Sequence, residues 1–94
     1  NAEKKDYADV YTEYLTKEIK LDGLQQAAVR SIVNDHKDSL EEIAKSNLPS
    51  IEKRDKMQFI YDQINTKIIK LLSKEQSDNF LKLKEEAEKK ALTY

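Results

Sequence analysis

The sequence predicts an all-α fold of four helices, and three observations carry that prediction. Only one Gly and one Pro occur in 94 residues, which leaves almost none of the turn chemistry that sheet architectures require. Apolar residues recur at spacings of three and four along most of the chain, the period of one face of a helix. Two capping boxes, Asp22 with Gln25 and Ser73 with Gln76, lie 51 residues apart. Each marks a helix start, because the cap side chain accepts from an amide of the first turn while the glutamine reaches back to the cap amide.

The first helix is expected over residues 3–20. Tyr7, Val10, Tyr11, Tyr14 and Leu21 fall on one face, with Leu15 and Ile19 on its flank. The tyrosine stripe has two readings: rings with one wet end half-covering a helix in a small protein, or a surface for a partner. The second helix, residues 22–45, opens on the Asp22 box and carries Val29, Ile32, Val33, His36, Leu40 and Ile43 in an a/d-like rhythm. Gly23 sits in its first turn, where glycine costs little. Ser46-Asn47-Leu48-Pro49-Ser50 is the one clear break, a cap-prone pair followed by a proline that a helix start tolerates and a helix interior does not.

The third helix, residues 50–72, places Met57, Ile60, Tyr61, Ile64, Ile68 and Leu71 on one face. Its length nearly matches that of the second, so the two long helices are expected to form an antiparallel hairpin. The Ser73 box then opens a fourth helix, residues 73–92, whose apolar stripe tapers from Phe80 and Leu83 to Ala87 and Ala91. One domain, residues 1–94, follows from these elements. Its core should be thin, since a chain this short buries only about 60 to 65% of its unfolded surface.

Some apolar residues do not fit a minimal bundle. On a helical wheel Phe59 points away from its own helix's stripe, Ile51 and Ile69 share a second line, and Leu81 and Leu92 form a similar pair on the last helix. With Arg54, Lys56, Thr66 and Lys70 beside that line, these residues form a candidate mixed apolar and basic surface for a client or partner. The apolar area left uncovered also points to a thin bundle that assembles as a homodimer.

The remaining composition excludes more than it assigns. The 17 basic and 18 acidic residues nearly cancel, which argues against nucleic-acid binding through phosphate neutralisation. Without cysteine there is neither a disulfide framework nor a thiolate metal site. No apolar run approaches the roughly 20 residues of a membrane span, so no membrane insertion is expected. His36 is the lone histidine. It falls in the second helix's stripe, where a core or boundary histidine bonded to a neighbour is expected, and it lacks the companions that a metal site or a nucleophilic triad requires. Glu41-Glu42 and Glu85-Glu86-Glu88 sit amid lysines and read as solvated faces. A single glycine builds no phosphate-cradling loop. Neither an enzyme nor a cofactor or metal is expected.

Leu72-Ser73-Lys74-Glu75-Gln76 and Leu21-Asp22-Gly23-Leu24-Gln25 are thus two Leu-cap-x-x-Gln elements in a small cysteine-free helical chain. They resemble the two Leu-Thr-x-x-Gln motifs of the Spy/CpxP family of bacterial periplasmic proteins, with Ser and Asp, both good N-caps, in place of Thr. Residue types after each glutamine also agree, Val29 with Phe80 and Ile32 with Leu83. The resemblance implies long antiparallel helices that dimerise into a thin curved cradle in the periplasm, and a start at Asn1 rather than Met is what a mature secreted protein with its signal peptide removed, or a trimmed chain, would show.

Two functions are implied. One is an ATP-independent chaperone (holdase) that holds unfolded or partly folded clients on a shallow apolar and basic face; the other is a regulator that binds an envelope-stress sensor kinase domain. A third branch of the family binds metal through histidines, and the solitary His36 departs from it. The near-neutral charge departs from a strongly basic cradle. Leu21, Asp22, Gln25, Leu72, Ser73 and Gln76 are expected to serve folding.

Overall fold

The structure, a computed structural model, describes residues 6–93. Among them the fold is all-α, with four helices: α1 Tyr7–Ile19, α2 Gly23–Lys45, α3 Ser50–Ile69 and α4 Lys74–Thr93. The expected start of the first helix at residue 3 lies outside the described residues.

Three of the four starts have identifiable chemistry. The Asp22 carboxylate accepts from the Gln25 amide at 2.7 Å, and the Gln25 side-chain carbonyl accepts from the Asp22 amide at 3.0 Å, so two of the amides that a helix start leaves without partners are satisfied. Ser73 and Gln76 repeat the arrangement at 3.1 and 3.0 Å and open α4. Pro49 stands at the N-cap of α3, where its missing N–H costs nothing. Between α1 and α2, Lys20 takes a left-handed conformation, φ 59° and ψ 58°, a place more often held by glycine.

Two expectations are revised. The buried face of α1 is formed by Ala8, Thr12, Leu15 and Ile19, while Tyr7, Val10 and Tyr14 remain about half exposed. Ala8 and Thr12 are small, and the Thr12 hydroxyl is satisfied by donating to the Ala8 carbonyl at 2.6 Å. That face lets α1 lie closely against α2; a row of tyrosines would hold the two apart. Leu21 is buried but lies beyond the end of the helix. The second revision concerns α3, which stops at Ile69, three residues early. The Leu71 and Leu72 amides bond back to the carbonyls of Ile68 and Ile69 at 2.9 and 3.1 Å. These three-residue turns tighten the helix end and carry the chain off the axis before the Ser73 cap, so Leu71 is left 37% exposed.

The helices pack α1 on α2, α2 on α3 and α4 on α1. Leu15, Val29, Val33, Ile64, Ile68 and Phe80 meet in one buried cluster to which all four helices contribute. Polar ties accompany the packing. Arg30 on α2 meets Asp9 on α1 at 2.7 Å, and Lys37 meets Asp6 at 3.1 Å; the hydrogen bond that the Lys37 ammonium donates to the Asp6 carboxylate holds its pKa above the ordinary lysine value. Lys53 donates to the Ala44 carbonyl at 3.2 Å near the α2–α3 connection, and Lys67 meets His36 Nε2 at 3.3 Å farther along the same pair. On α4, Phe80 is buried and Leu83 partly so, whereas residues 85–90 are all exposed. The expected end of that stripe at Ala91 lies outside the residues whose side chains are described. Among the described residues no helix is long and apolar enough to cross a membrane.

Candidate functional site

The two capping boxes meet. Gln25 Nε2 donates to Gln76 Oε1 at 2.8 Å, and Gln76 Nε2 donates to Gln25 Oε1 at 3.0 Å. The remaining N–H of each amide goes to the end of a helix in the other half of the chain. Gln25 Nε2 reaches the Leu71 carbonyl at 3.0 Å, and Gln76 Nε2 reaches the carbonyls of Lys20 at 3.0 Å and Ile19 at 3.3 Å. Each Oε1 also accepts its own cap amide, so the hydrogen-bonding capacity of both primary amides is taken up. The pair ties the α1–α2 connection to the α3–α4 connection and has nothing left to offer a ligand.

The off-face residues separate into groups. Phe59 is 65% exposed and Ile51 63%. Phe59 stands between two shallow grooves. One, about 590 Å³, runs toward the α2–α3 connection and includes Lys56, Ile43 and Leu48. The other, about 400 Å³, runs along α3 and includes Thr66, Lys67 and Lys70. Phe59 thus has Lys56 in one groove and Lys70 in the other, while Ile51, Arg54 and Leu81 are exposed but line neither groove. Ile69 is partly buried and packs against the core. Because α3 ends at this residue and the chain then turns, Ile69 sits beside Leu72 at the margin of the core rather than on an open line with Ile51. The Leu92 side chain lies outside the described residues. Lys67 was not among the residues singled out from the sequence, although its spacing of eight from Phe59 was a readable signal; Ile43 and Leu48 come from another element and left no local one.

His36 is half-buried and bonded at both nitrogens. Nδ1 lies 2.9 Å from the Ile32 carbonyl and Nε2 3.3 Å from Lys67 Nζ. A carbonyl only accepts and an ammonium only donates, so both ring nitrogens have complementary partners within the chain. Among the described residues no group of three or more potential metal ligands occurs.

The tyrosines of α1 form a ladder. Tyr7 and Tyr11 stack with ring centroids 5.8 Å apart and 11° between planes, and Tyr11 and Tyr14 follow at 6.4 Å and 24°. Burial, reinforced by Tyr7 and Tyr14, pushes the Tyr11 phenol far above its ordinary value, and burial with Tyr61 nearby raises Tyr7. Both hydroxyls stay protonated donors at neutral pH.

No family model, curated protein or solved structure matches the chain.

Proposed function

We propose that the chain is an ATP-independent periplasmic holdase of the Spy/CpxP type, which binds exposed apolar segments of unfolded or partly folded clients. The observation that carries this reading is Phe59, an aromatic ring 65% exposed on the middle of a long helix, between two open grooves edged by Lys56, Lys67 and Lys70. Burying one such ring yields about 1.5 to 3 kcal/mol. A shallow surface with one aromatic anchor among mixed charges, the three lysines beside Glu42, Asp55 and Asp62, therefore holds a client weakly enough to release it without fuel. The grooves are too open to enclose a small molecule, which usually has most of its surface buried. Support for the family comes from the two Leu-cap-x-x-Gln elements acting as one unit through Gln25 and Gln76.

The test is suppression of aggregation of a client diluted from urea, at up to equimolar chain. Phe59→Ser should weaken protection several-fold with no change in the chain's own unfolding midpoint. Full protection in that variant removes the surface from the argument. Absence of protection in the wild type, with saturable binding to one sensor domain instead, would replace the holdase by the regulator.

A further inference from the structure

The two grooves that meet at Phe59 differ in the sign of their charge. Toward the α2–α3 connection the charged side chains are Glu42, Asp55 and Lys56, two carboxylates against one ammonium. Along α3 they are Asp62, Lys67 and Lys70, two ammoniums against one carboxylate. Partners sharpen the contrast. Asp62 accepts from the Gln58 amide at 3.0 Å and lies 4.0 Å from Lys84 Nζ, so its charge is shared with a cation outside the groove. Among the described residues the side chains of Glu42, Asp55, Lys56 and Lys70 have no partner, and Lys67 meets a ring nitrogen of His36 rather than a carboxylate. One end of the surface is thus open to a cation and the other to an anion.

The helix sets the spacing of these charges. Asp55, Phe59, Thr66 and Lys70 fall within about 60° of one another around α3 and are all exposed. At about 1.5 Å per residue, Asp55 lies about 6 Å along the axis from Phe59 on one side, and Lys70 about 16 Å on the other. An extended chain advances about 3.3 Å per residue. A segment with an apolar side chain on Phe59 therefore passes Asp55 about two residues to one side and Lys70 about five to the other, with Lys67 on the way. Glu42 on α2 strengthens the acidic end, and Ile43 and Leu48 give the same groove its apolar lining. A helix backbone is bonded internally and has no edge to pair with, so either chain direction fits. A uniformly basic or uniformly acidic segment meets like charge at one end.

We propose that the Phe59 surface selects client segments of bipolar charge, with an apolar centre, a basic residue about two positions to one side and an acidic residue about three to five positions to the other. The apolar centre covers Phe59, the basic residue pairs with Glu42 or Asp55, and the acidic residue pairs with Lys67 or Lys70. The inference rests on the reading of this surface as a client site and says which clients it favours.

Isothermal titration of the full chain with three end-blocked peptides tests it. The first is Lys-Lys-Leu-Phe-Leu-Ser-Ser-Ser-Glu-Glu; the second has lysines at both ends and the third glutamates at both. The bipolar peptide should bind about fivefold more tightly than either of the others in about 50 mM salt, an advantage that about 0.5 M salt removes. Lys70→Glu should move the preference toward the all-lysine peptide, and Glu42→Lys with Asp55→Lys toward the all-glutamate peptide, with urea midpoints close to wild type. Phe59→Ser should weaken all three. Equal binding of the three peptides that Phe59→Ser abolishes overturns the charge pattern and leaves Phe59 as the anchor of a holdase. No binding of any peptide also overturns it, and protection of an aggregating client by the wild type then decides the holdase separately. A preference that neither set of charge substitutions moves is equally fatal. Dimerisation that Phe59→Ser abolishes gives the face to a second copy of the chain and overturns client selection there.

Discussion

Gln76 has two separable duties, and one substitution tells them apart. As a capping residue it only has to accept the Ser73 amide, at 3.0 Å, and a glutamate in that place does so equally well and suits the positive end of a helix. As a tie between the halves it has to donate, to the Lys20 carbonyl and to Gln25 Oε1, both at 3.0 Å. A carboxylate has no N–H to give. Gln76→Glu should therefore lower stability by about 1 to 3 kcal/mol at neutral pH, read from urea unfolding. An unchanged or higher midpoint would reduce Gln76 to a cap. Gln25→Glu should behave alike, because Gln25 makes the matching bond to the Leu71 carbonyl. The double variant should cost more than the two singles together, since each single keeps the bond donated by the remaining glutamine, while the double sets two carboxylates in contact with no N–H between them.

At the scale of the elements, α1 shows which face of a helix is the inner one. Leu15 is 1% exposed beside Ala8 and Thr12, whereas Tyr14 is about half exposed. Leu15→Ala should cost about 2 to 5 kcal/mol, and Tyr14→Ala under about 1 kcal/mol, a surface-scale effect that the loss of its stacking on Tyr11 brings toward the upper end. Urea midpoints for both variants check the assignment, and the reverse order would return the tyrosines to the core. The ladder leaves a second signature. Burial keeps the Tyr11 phenol protonated above its ordinary value of 10.0, so once pH passes that value the unfolded chain releases a proton that the folded chain retains. Stability should then fall as pH rises. Tyr11→Phe should flatten that decline between about pH 9 and about pH 11, and an equally steep decline would deny Tyr11 the role. Helix starts were legible in the sequence because Asp22, Pro49 and Ser73 act through their nearest neighbours. The inner face of α1 was not, since an apolar count favours four tyrosine and valine positions over an alanine and a threonine whose merit is their smallness. The early stop of α3 was hidden because Leu71 and Leu72 continue its apolar period. Phe59 could be found from its angle on the wheel. The contact between Gln25 and Gln76 arises only when distant elements are brought together.

The whole molecule is larger than its length requires. A compact chain of this size has a radius of gyration of about 12 Å, and the value here is 14.3 Å, with extents of 39, 35 and 28 Å. The packing of α4 on α1 and of α2 on α3 leaves apolar residues outside the core, Leu24 at 85% exposure and Leu81 at 47%. A standard interface takes about 800 Å² from each partner, roughly a tenth of the 7167 Å² that the chain exposes. The homodimer expected from the sequence could therefore form without using every apolar patch. X-ray scattering at micromolar concentration should give twice the chain mass and a radius well above 14.3 Å; a single-chain mass with a radius near that value at all concentrations would refute the dimer. The same measurement on Phe59→Ser decides how the surfaces are shared. If the variant dimerises as the wild type does while its protection of clients falls, the grooves beside Phe59 belong to the client. If mass and protection fall together, the Phe59 face is what joins the two copies, and a client has to be held elsewhere on the pair.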